Sequence, residues 1–136
     1  MCPDEHYGTQ HTKAEITHVL AAIHKHIREG RFRVLGKREK NEAFFAEYNI
    51  RSEKQREILL RIQVEDFCYS LQSTKKGYEG NQLYVFVPKV ELYNIDGEKE
   101  KVQIYIKFDI IEKLSGQTAI VISFHKLEKP INYLFN

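Results

Sequence analysis

The chain of 136 residues lacks the features that mark several common classes of protein. It has no apolar run close to the ~20 residues that a membrane-spanning helix requires, and its first thirteen residues, MCPDEHYGTQHTK, contain no apolar signal core. It has neither a CxxC nor an HExxH pattern, and its two cysteines, Cys2 and Cys68, are too few for a disulfide framework. We therefore expect a cytoplasmic protein with reduced thiols, without membrane contact, metal ion or cofactor.

An excess of charge is also absent from the chain as a whole, but one segment is basic. The formal net charge is +2 and the isoelectric point is about 8.5, which does not by itself indicate nucleic-acid binding. Residues 24–40, HKHIREGRFRVLGKREK, nevertheless hold seven lysines and arginines against two glutamates. Such a run forms either a solvated surface or a phosphate-binding surface, and both interpretations stay open.

The first half of the chain has helical periodicity in three segments, residues 12–29, 38–48 and 52–62. The first and third segments open with capping-box patterns, T-x-x-E and S-x-x-Q. The apolar side chains that we expect to be buried are Ile16, Val19, Leu20, Ile23 and Ile27 in the first helix, Phe44, Phe45 and Tyr48 in the second, and Ile58, Leu59 and Ile62 in the third.

From residue 82 onward the apolar spacing changes to a period of two, which predicts strands. The predicted strands are residues 82–93, 101–111 and 118–126, with a further short strand possible at 31–35. Helices followed by an antiparallel meander predict an α+β fold, with N-terminal helices packed on a C-terminal antiparallel sheet. We expect one domain over residues 12–136, after a disordered lead-in at residues 1–11 that is polar and aperiodic.

Alternation in the last two strands brings candidate catalytic groups onto one surface. Successive side chains of a strand point to opposite faces. The apolar rows that must face the helices are Val102, Ile104, Ile106, Phe108 and Ile110 in the middle strand, and Ile120, Ile122 and Phe124 in the last strand. Because a short turn joins these strands, they should pair, and Tyr105, Lys107 and His125 then share the open face at ~5–10 Å from one another.

These three side-chain types can together cleave RNA without a metal ion. Histidine titrates near neutrality and serves as acid or base at the ribose 2′-OH and at the departing 5′-oxygen. Lysine stabilises the charge that develops on the phosphate, and tyrosine donates a hydrogen bond or stacks on a base. Alternating tyrosine and lysine is also typical of any sheet with one solvated face, so a surface without a catalytic role is the alternative.

Several segments of the chain resemble the MqsR-type toxins of the motility quorum-sensing regulator family. The resemblance is carried by VQIYIKF (102–108) followed by AIVISFHKLEKPINYLF (119–135), which is similar to the family's VYIKI and ISFHxAExPMNYPF strings. GKREKN (36–41), YNIRSEKQREILLRIQVEDF (48–67) and LYVFVPKV (83–90) match weaker family segments in the same order. The likeness covers residues 15–136.

This resemblance implies a RelE-like α+β fold and a bacterial toxin of a type II toxin–antitoxin pair. The implied activity is metal-independent endoribonucleolytic cleavage of mRNA, with a cognate antitoxin as protein partner and RNA as substrate. The candidate catalytic residues are His125, Tyr105 and Lys107, and the candidate RNA-binding residues are Lys126, Lys37, Arg38, Lys40 and Tyr84.

The chain departs from the family at two proposed catalytic positions. The family's Lys, Gln, Tyr and Lys fall here on Tyr69, Val85, Tyr105 and His125, so that only the tyrosine is kept. Val85 cannot replace a glutamine, and Tyr69 is not a cation. A second hypothesis is therefore a non-catalytic RNA- or protein-binding module on the same fold.

The chain stays apolar after its last strand. Pro130 turns the chain, and Ile131, Tyr133 and Phe135 alternate with other residues. We expect this tail to pack back over an exposed edge or to dock a partner.

Overall fold

The computed structural model describes residues 7–74, 76–77, 81–113 and 116–135, and within them it has three helices and seven strands. The helices are α1 (Lys13–Arg28), α2 (Glu39–Glu47) and α3 (Ser52–Leu60). The strands are β1 (Tyr7–Gly8), β2 (Phe32–Val34), β3 (Phe67–Gln72), β4 (Gln82–Phe86), β5 (Lys89–Tyr93), β6 (Lys99–Lys113) and β7 (Gly116–Lys126). The predicted α+β class is confirmed, with the helices in the first half of the chain and most of the sheet in the second.

The strands lie in the order β1-β3-β4-β6-β7-β2, with β5 also paired to β6. All pairs are antiparallel except β2 with β7, which run parallel. In the described part of the chain, no helix combines the length and apolar character needed to cross a bilayer.

The predicted strand at residues 82–93 is interrupted in the middle without a change of register. Leu83 lies opposite Asp109 and Lys89 lies opposite Gln103, so β4 and β5 follow the same line along β6. The interruption falls at Val87–Pro88 because proline has no backbone N–H to donate to a strand ladder. The Val87 N–H instead donates to the carbonyl oxygen of Asp66 at 2.8 Å.

The start of α1 follows the predicted cap only in part. The hydroxyl of Thr12 accepts a hydrogen bond from the Glu15 N–H at 3.0 Å, as in a capping box. The Glu15 carboxylate, however, bonds the ring of His11 at 2.8 Å. The helix stops before Gly30, whose φ of +76° favours glycine.

The capping box predicted at the start of α3 is wrong. The N-cap is Arg51, and Ser52 is already the first helical residue, where its hydroxyl makes no cap hydrogen bond. The apolar stripe of this helix is nevertheless as expected, since Ile58 and Leu59 are buried in the core.

The main core lies between the helices and one face of the sheet. It contains most of the residues predicted from periodicity, with Val19 and Phe45 only partly buried at its margin. Its largest fully buried members are Phe67, Phe86, Phe108, Phe124, Ile16, Ile23 and Ile27. The predicted inward row of β6 is confirmed, with Val102, Ile104, Ile106 and Phe108 buried and Ile110 partly buried.

The predicted inward row of β7 is wrong at two of its three residues. Lys107 lies opposite Ser123 and Phe108 lies opposite Val121, so Ile122 is an extra residue, a β-bulge. On the far side of the bulge the row facing the core consists of Ala119 and Val121, not of Ile120 and Ile122. Phe124, on the near side, is buried as predicted. A bulge shifts the parity of all the residues beyond it, which the apolar string AIVI does not reveal.

Asn41 in α2 completes the hydrogen bonding of β7 beside the bulge. The amide of Asn41 donates to the carbonyl oxygens of Leu35 and Ile122, each at 3.0 Å, and its oxygen accepts from the Phe124 N–H at 2.8 Å. Strand β2 stops pairing with β7 at Val121, whose carbonyl accepts from the Leu35 N–H. The Asn41 side chain therefore takes the place of the next strand residue and fixes α2 to the sheet.

The last part of the predicted lead-in contacts the sheet. Tyr7 and Gly8 form strand β1, opposite Leu71 and Ser70 of β3. The ring of His11 bonds the hydroxyl of Ser70 at 2.8 Å. Residues 1–6 lie outside the described residues.

We expect Asn41→Leu to lower the free energy of unfolding by about 3 kcal/mol, because it leaves the buried Phe124 N–H and Ile122 carbonyl without partners. Urea denaturation followed by circular dichroism measures the change. The neighbouring exposed residue provides the matched control, since Glu42→Leu should alter the unfolding free energy by less than about 0.5 kcal/mol. Equal losses in the two variants would contradict the role assigned to Asn41.

Candidate functional site

A cleft of about 570 Å³ opens on the face of the sheet opposite the main core. Its floor contains Tyr69, Tyr105, Lys107, Ser123 and His125, from β3, β6 and β7. One wall is the start of α2, with Arg38 and Lys40, and the other is the segment 127–132 that follows β7. The three catalytic candidates predicted from strand parity, Tyr105, Lys107 and His125, all line this cleft.

Tyr105 and His125 lie directly opposite each other on β6 and β7. Their rings stack with centroids 5.4 Å apart and planes inclined by 17°. The stacking restricts the rotation of the imidazole, since one of its faces is covered by the phenol ring.

The backbone selects the tautomer of the His125 ring. Nδ1 lies 2.9 Å from the carbonyl oxygen of Lys126. A carbonyl oxygen only accepts, so Nδ1 must carry the proton of the bond. In the neutral ring Nε2 then holds the lone pair and is the atom able to accept a proton.

The side chain of Tyr105 is also held by a second tyrosine, Tyr69. The hydroxyl groups of Tyr69 and Tyr105 are hydrogen-bonded at 3.2 Å. Tyr69 comes from β3, beside a bulge at Cys68 that separates the pairs Phe67–Phe86 and Tyr69–Val85. A β-bulge changes the direction of the side chains beside it. Of the three strands that form the cleft floor, β3 and β7 each contain one.

Lys107 is a half-buried cation without a counter-ion among the described residues. Burial lowers the pKa of its ammonium group, and the nearby positive charge of Arg38 lowers that pKa further. A partly desolvated and repelled cation of this kind is stabilised by any anion that enters the cleft.

The cleft is basic as a whole. Its lining includes four lysine or arginine residues, Arg38, Lys40, Lys107 and Lys129, against the single acidic residue Glu128. Lys40 is already engaged, since its Nζ donates to Glu128 at 2.7 Å across the cleft mouth. That hydrogen bond lowers the pKa of Glu128, which stays ionised.

The apolar tail packs back, as the sequence indicated, and crosses the sheet at the interruption between β4 and β5. The hydroxyl of Tyr133 donates to the carbonyl of Val87 at 2.8 Å, and the Leu134 N–H donates to the carbonyl of Phe67 at 3.1 Å. Ile131 and Tyr133 cover a small apolar cluster of Cys68, Val85 and Val87, and Leu134 and Phe135 reach the main core. The tail thereby completes one side of the cleft.

Three predicted RNA-binding residues lie away from the cleft. Lys126 points to the helix side, where its Nζ donates to Glu47 at 2.9 Å and lies 5.0 Å from the centre of the Tyr48 ring. Tyr84 is half-buried on that same side, and burial raises the pKa of its phenol. Lys37 is exposed in the turn before α2 and does not line the cleft. Arg38 and Lys40, by contrast, do.

Sequence reasoning missed Ser123, Glu128 and Asn41 as parts of the site or its support. Ser123 was visible on the correct face by strand parity, and Glu128 and Asn41 lie within the quoted ISFH and GKREKN segments. Tyr69 was indicated by the family alignment alone, because β3 was not predicted: FCYSLQ is short and is buried at adjacent as well as alternate positions.

Neither a metal-binding cluster among the described residues nor a known relative adds to the description of the site. No group of three or more His, Cys, Asp or Glu side chains within the described part of the chain is arranged to hold a metal ion. No protein-family model, curated protein or solved structure matches the chain.

We expect Lys107→Met to raise the free energy of unfolding at pH 7, because it removes a desolvated charge that Arg38 repels. The pKa of Lys107 is lower in the folded protein than the 10.5 of the unfolded chain, so between these values only the unfolded chain holds the proton and native stability rises with pH. The advantage of the variant should therefore shrink from pH 7 to pH 10, measured by urea denaturation.

The control for this comparison is Lys101→Met, an exposed lysine on the same strand and the same face. It should give no gain at pH 7. A loss of stability in Lys107→Met at pH 7 would mean that the ammonium is favourably paired and would contradict this description.

Proposed function

We propose that this chain is a toxin-like endoribonuclease that cleaves RNA without a metal ion and is neutralised by a cognate antitoxin. The observation that carries the proposal is the stacked Tyr105–His125 pair beside the unpaired ammonium of Lys107, in a basic cleft. The resemblance of the ISFH and P-x-N-Y segments to the MqsR-type toxins supports the same activity, together with a RelE-like fold and the antitoxin partner.

In the proposed reaction His125 is the base. Its Nε2 removes the proton of a ribose 2′-OH, and the 2′-oxygen bonds to the adjacent phosphorus. The bond from phosphorus to the 5′-oxygen breaks, and that oxygen receives a proton from the Lys107 ammonium. The products are a 2′,3′-cyclic phosphate and a 5′-hydroxyl. The hydrogen bond from Nδ1 to the Lys126 carbonyl supports the role of His125, because it stabilises the imidazolium that forms.

Lys107 suits the role of acid because a lowered pKa makes an ammonium group a stronger proton donor at neutral pH. Arg38, whose charge is permanent, stabilises the negative charge on the phosphate while Lys107 gives up its proton. Tyr105 orients the imidazole by stacking, and its own hydroxyl is held by Tyr69.

The positions of base and acid fit an attack and a departure on opposite sides of one phosphorus atom. His125 lies opposite Tyr105, and Lys107 follows Tyr105 by two residues on β6. His125 and Lys107 are therefore diagonal neighbours on one face of the sheet, with backbones ~7–8 Å apart. A phosphodiester placed between them contacts both groups.

A non-catalytic RNA-binding module is the second candidate, and one observation favours it. Tyr69 is engaged with Tyr105, and Val85 is fully buried under the tail, so neither supplies a cation or an amide to the cleft. Such a module would bind RNA with a steep dependence on salt, because phosphate contacts release counter-ions.

Cleavage of a long RNA in the presence of EDTA tests the two candidates. We expect His125→Ala to lower the cleavage rate by ~10²–10⁴-fold, through loss of general base catalysis, and Lys107→Met by ~10²-fold or more. Tyr105→Phe keeps the stacked ring but loses one hydrogen bond, and should lower the rate by only ~10-fold. Gel electrophoresis and analysis of the 3′ ends for cyclic phosphate provide the measurement.

The matched controls are exposed residues away from the cleft. His18→Ala and Tyr93→Phe should cleave at the native rate. Equal rates in His125→Ala and His18→Ala would reject the assignment of His125. Absence of cleavage by the native protein, with salt-dependent binding that Lys107→Met weakens, would favour the binding module instead.

A further inference from the structure

The basic segment, residues 24–40, is divided among α1, the residue Arg31 after it, β2, and the turn that leads into α2. Only part of this segment lies near the cleft. Lys25 and Arg28 are exposed on the last turn of α1. Arg31 is paired with Glu29. Arg33 belongs to β2, the strand that borders β7. The remaining members, Lys37, Arg38 and Lys40, lie in the turn after β2 and at the start of α2.

Arg33 lies on the cleft face of the sheet. Strand β2 is in parallel register with β7, with Arg33 beside Ile120, and its neighbours Phe32 and Val34 pack against the main core. Side chains alternate along a strand, so Arg33 points to the opposite face. Ile120 in turn pairs with Asp109 of β6, two residues from Lys107.

After Arg33 the chain leads directly to the cleft. The Leu35 N–H bonds the Val121 carbonyl, and a turn then brings Lys37 and Arg38 past the end of β2. Arg33, Lys37 and Arg38 have no salt bridge to any carboxylate among the described residues, unlike Arg31 and Lys40, which are paired. We call these three residues the basic track.

Among the described residues, Asp109 and Glu39 are the acidic neighbours of the basic track in register or in sequence. Asp109 is buried beneath the surface, and its carboxylate accepts a hydrogen bond from the Asn81 amide at 3.1 Å. Glu39, the first residue of α2, is exposed and follows Arg38 in the chain. The charge of the surface between β2 and the cleft is therefore positive on balance.

We propose that the basic track holds the phosphates of a single RNA strand that continues out of the cleft across the edge of β2. The inference rests on the proposed function, because it assigns RNA to the cleft. Arg33 and Lys107 are two strands and two residues apart on the sheet, ~12 Å between backbones, a distance that an extended strand spans in about two phosphate steps. Binding should consequently strengthen when the RNA is longer than the cleft can hold.

Fluorescence anisotropy with 2′-O-methyl RNA tests the track, because this RNA has no free 2′-OH and cannot be cleaved. Strands of about three and about ten nucleotides are compared, at several salt concentrations. We expect Arg33→Met/Lys37→Met to weaken binding of the long strand by ~10-fold and to reduce its salt slope by about 1.4, which corresponds to two phosphate contacts. Binding of the short strand should not change.

The control removes two charges from the same basic segment but on α1, in the variant Lys25→Met/Arg28→Met. It should bind both strands as the native protein does. Equal weakening in the two double variants would reduce the effect to general charge and overturn the track. Equal affinity of the native protein for short and long strands would also overturn the track. In that case, cleavage that depends on Lys107 would still support the proposed function. Absence of binding to either strand would reject both proposals.

Discussion

The cleft depends on how the exposed edge of β7 is satisfied after β2 ends. A strand edge presents unpaired N–H and C=O groups, which cost free energy when they are buried without partners. Here one side-chain amide, that of Asn41, bonds the Ile122 carbonyl and the Phe124 N–H. Because Asn41 belongs to the first turn of α2, the same bonds fix the helix against β7. Arg38, three residues earlier, is thereby brought to the mouth of the cleft.

The opposite side of the cleft depends on a missing donor. Pro88 interrupts the ladder between β4 and β6, and the backbone groups of Val87 bond outside the sheet, to Asp66 and to the hydroxyl of Tyr133. The tail crosses at this point, where the hydroxyl of Tyr133 donates to the Val87 carbonyl. An apolar C-terminal segment thus covers the cluster around Val85 while leaving His125 accessible at the tail's margin.

Strand parity predicted the site better than it predicted the core, and the reason is local. In β6, polar and apolar residues alternate strictly, so Tyr105 and Lys107 could be placed on one face. In β7, the string AIVI is apolar at every position, and the bulge at Ile122 is set by Asn41, which lies 81 residues away in the chain. His125 was placed on the correct face because it follows Phe124 directly, on the C-terminal side of the bulge, where the predicted alternation holds. Strand β3 was not predicted because its adjacent residues are buried on opposite faces of the sheet. Phe67 is buried in the main core and Cys68 in the apolar cluster with Val85 and Val87.

The surroundings of Lys107 favour the binding of an anion in this cleft. Val85, the cross-strand neighbour of Lys107 on β4, and Cys68, in the lining of the cleft, are both buried, and burial raises the pKa of the Cys68 thiol to about 12, so that the sulfur stays neutral. The floor therefore offers neither a counter-ion nor good solvation to the ammonium. Charges attract more strongly at such a half-buried position than in water. A phosphate entering between Lys107 and Arg38 offsets both the burial and the repulsion that lower the pKa of Lys107, so the binding of phosphate and the protonation of Lys107 favour each other.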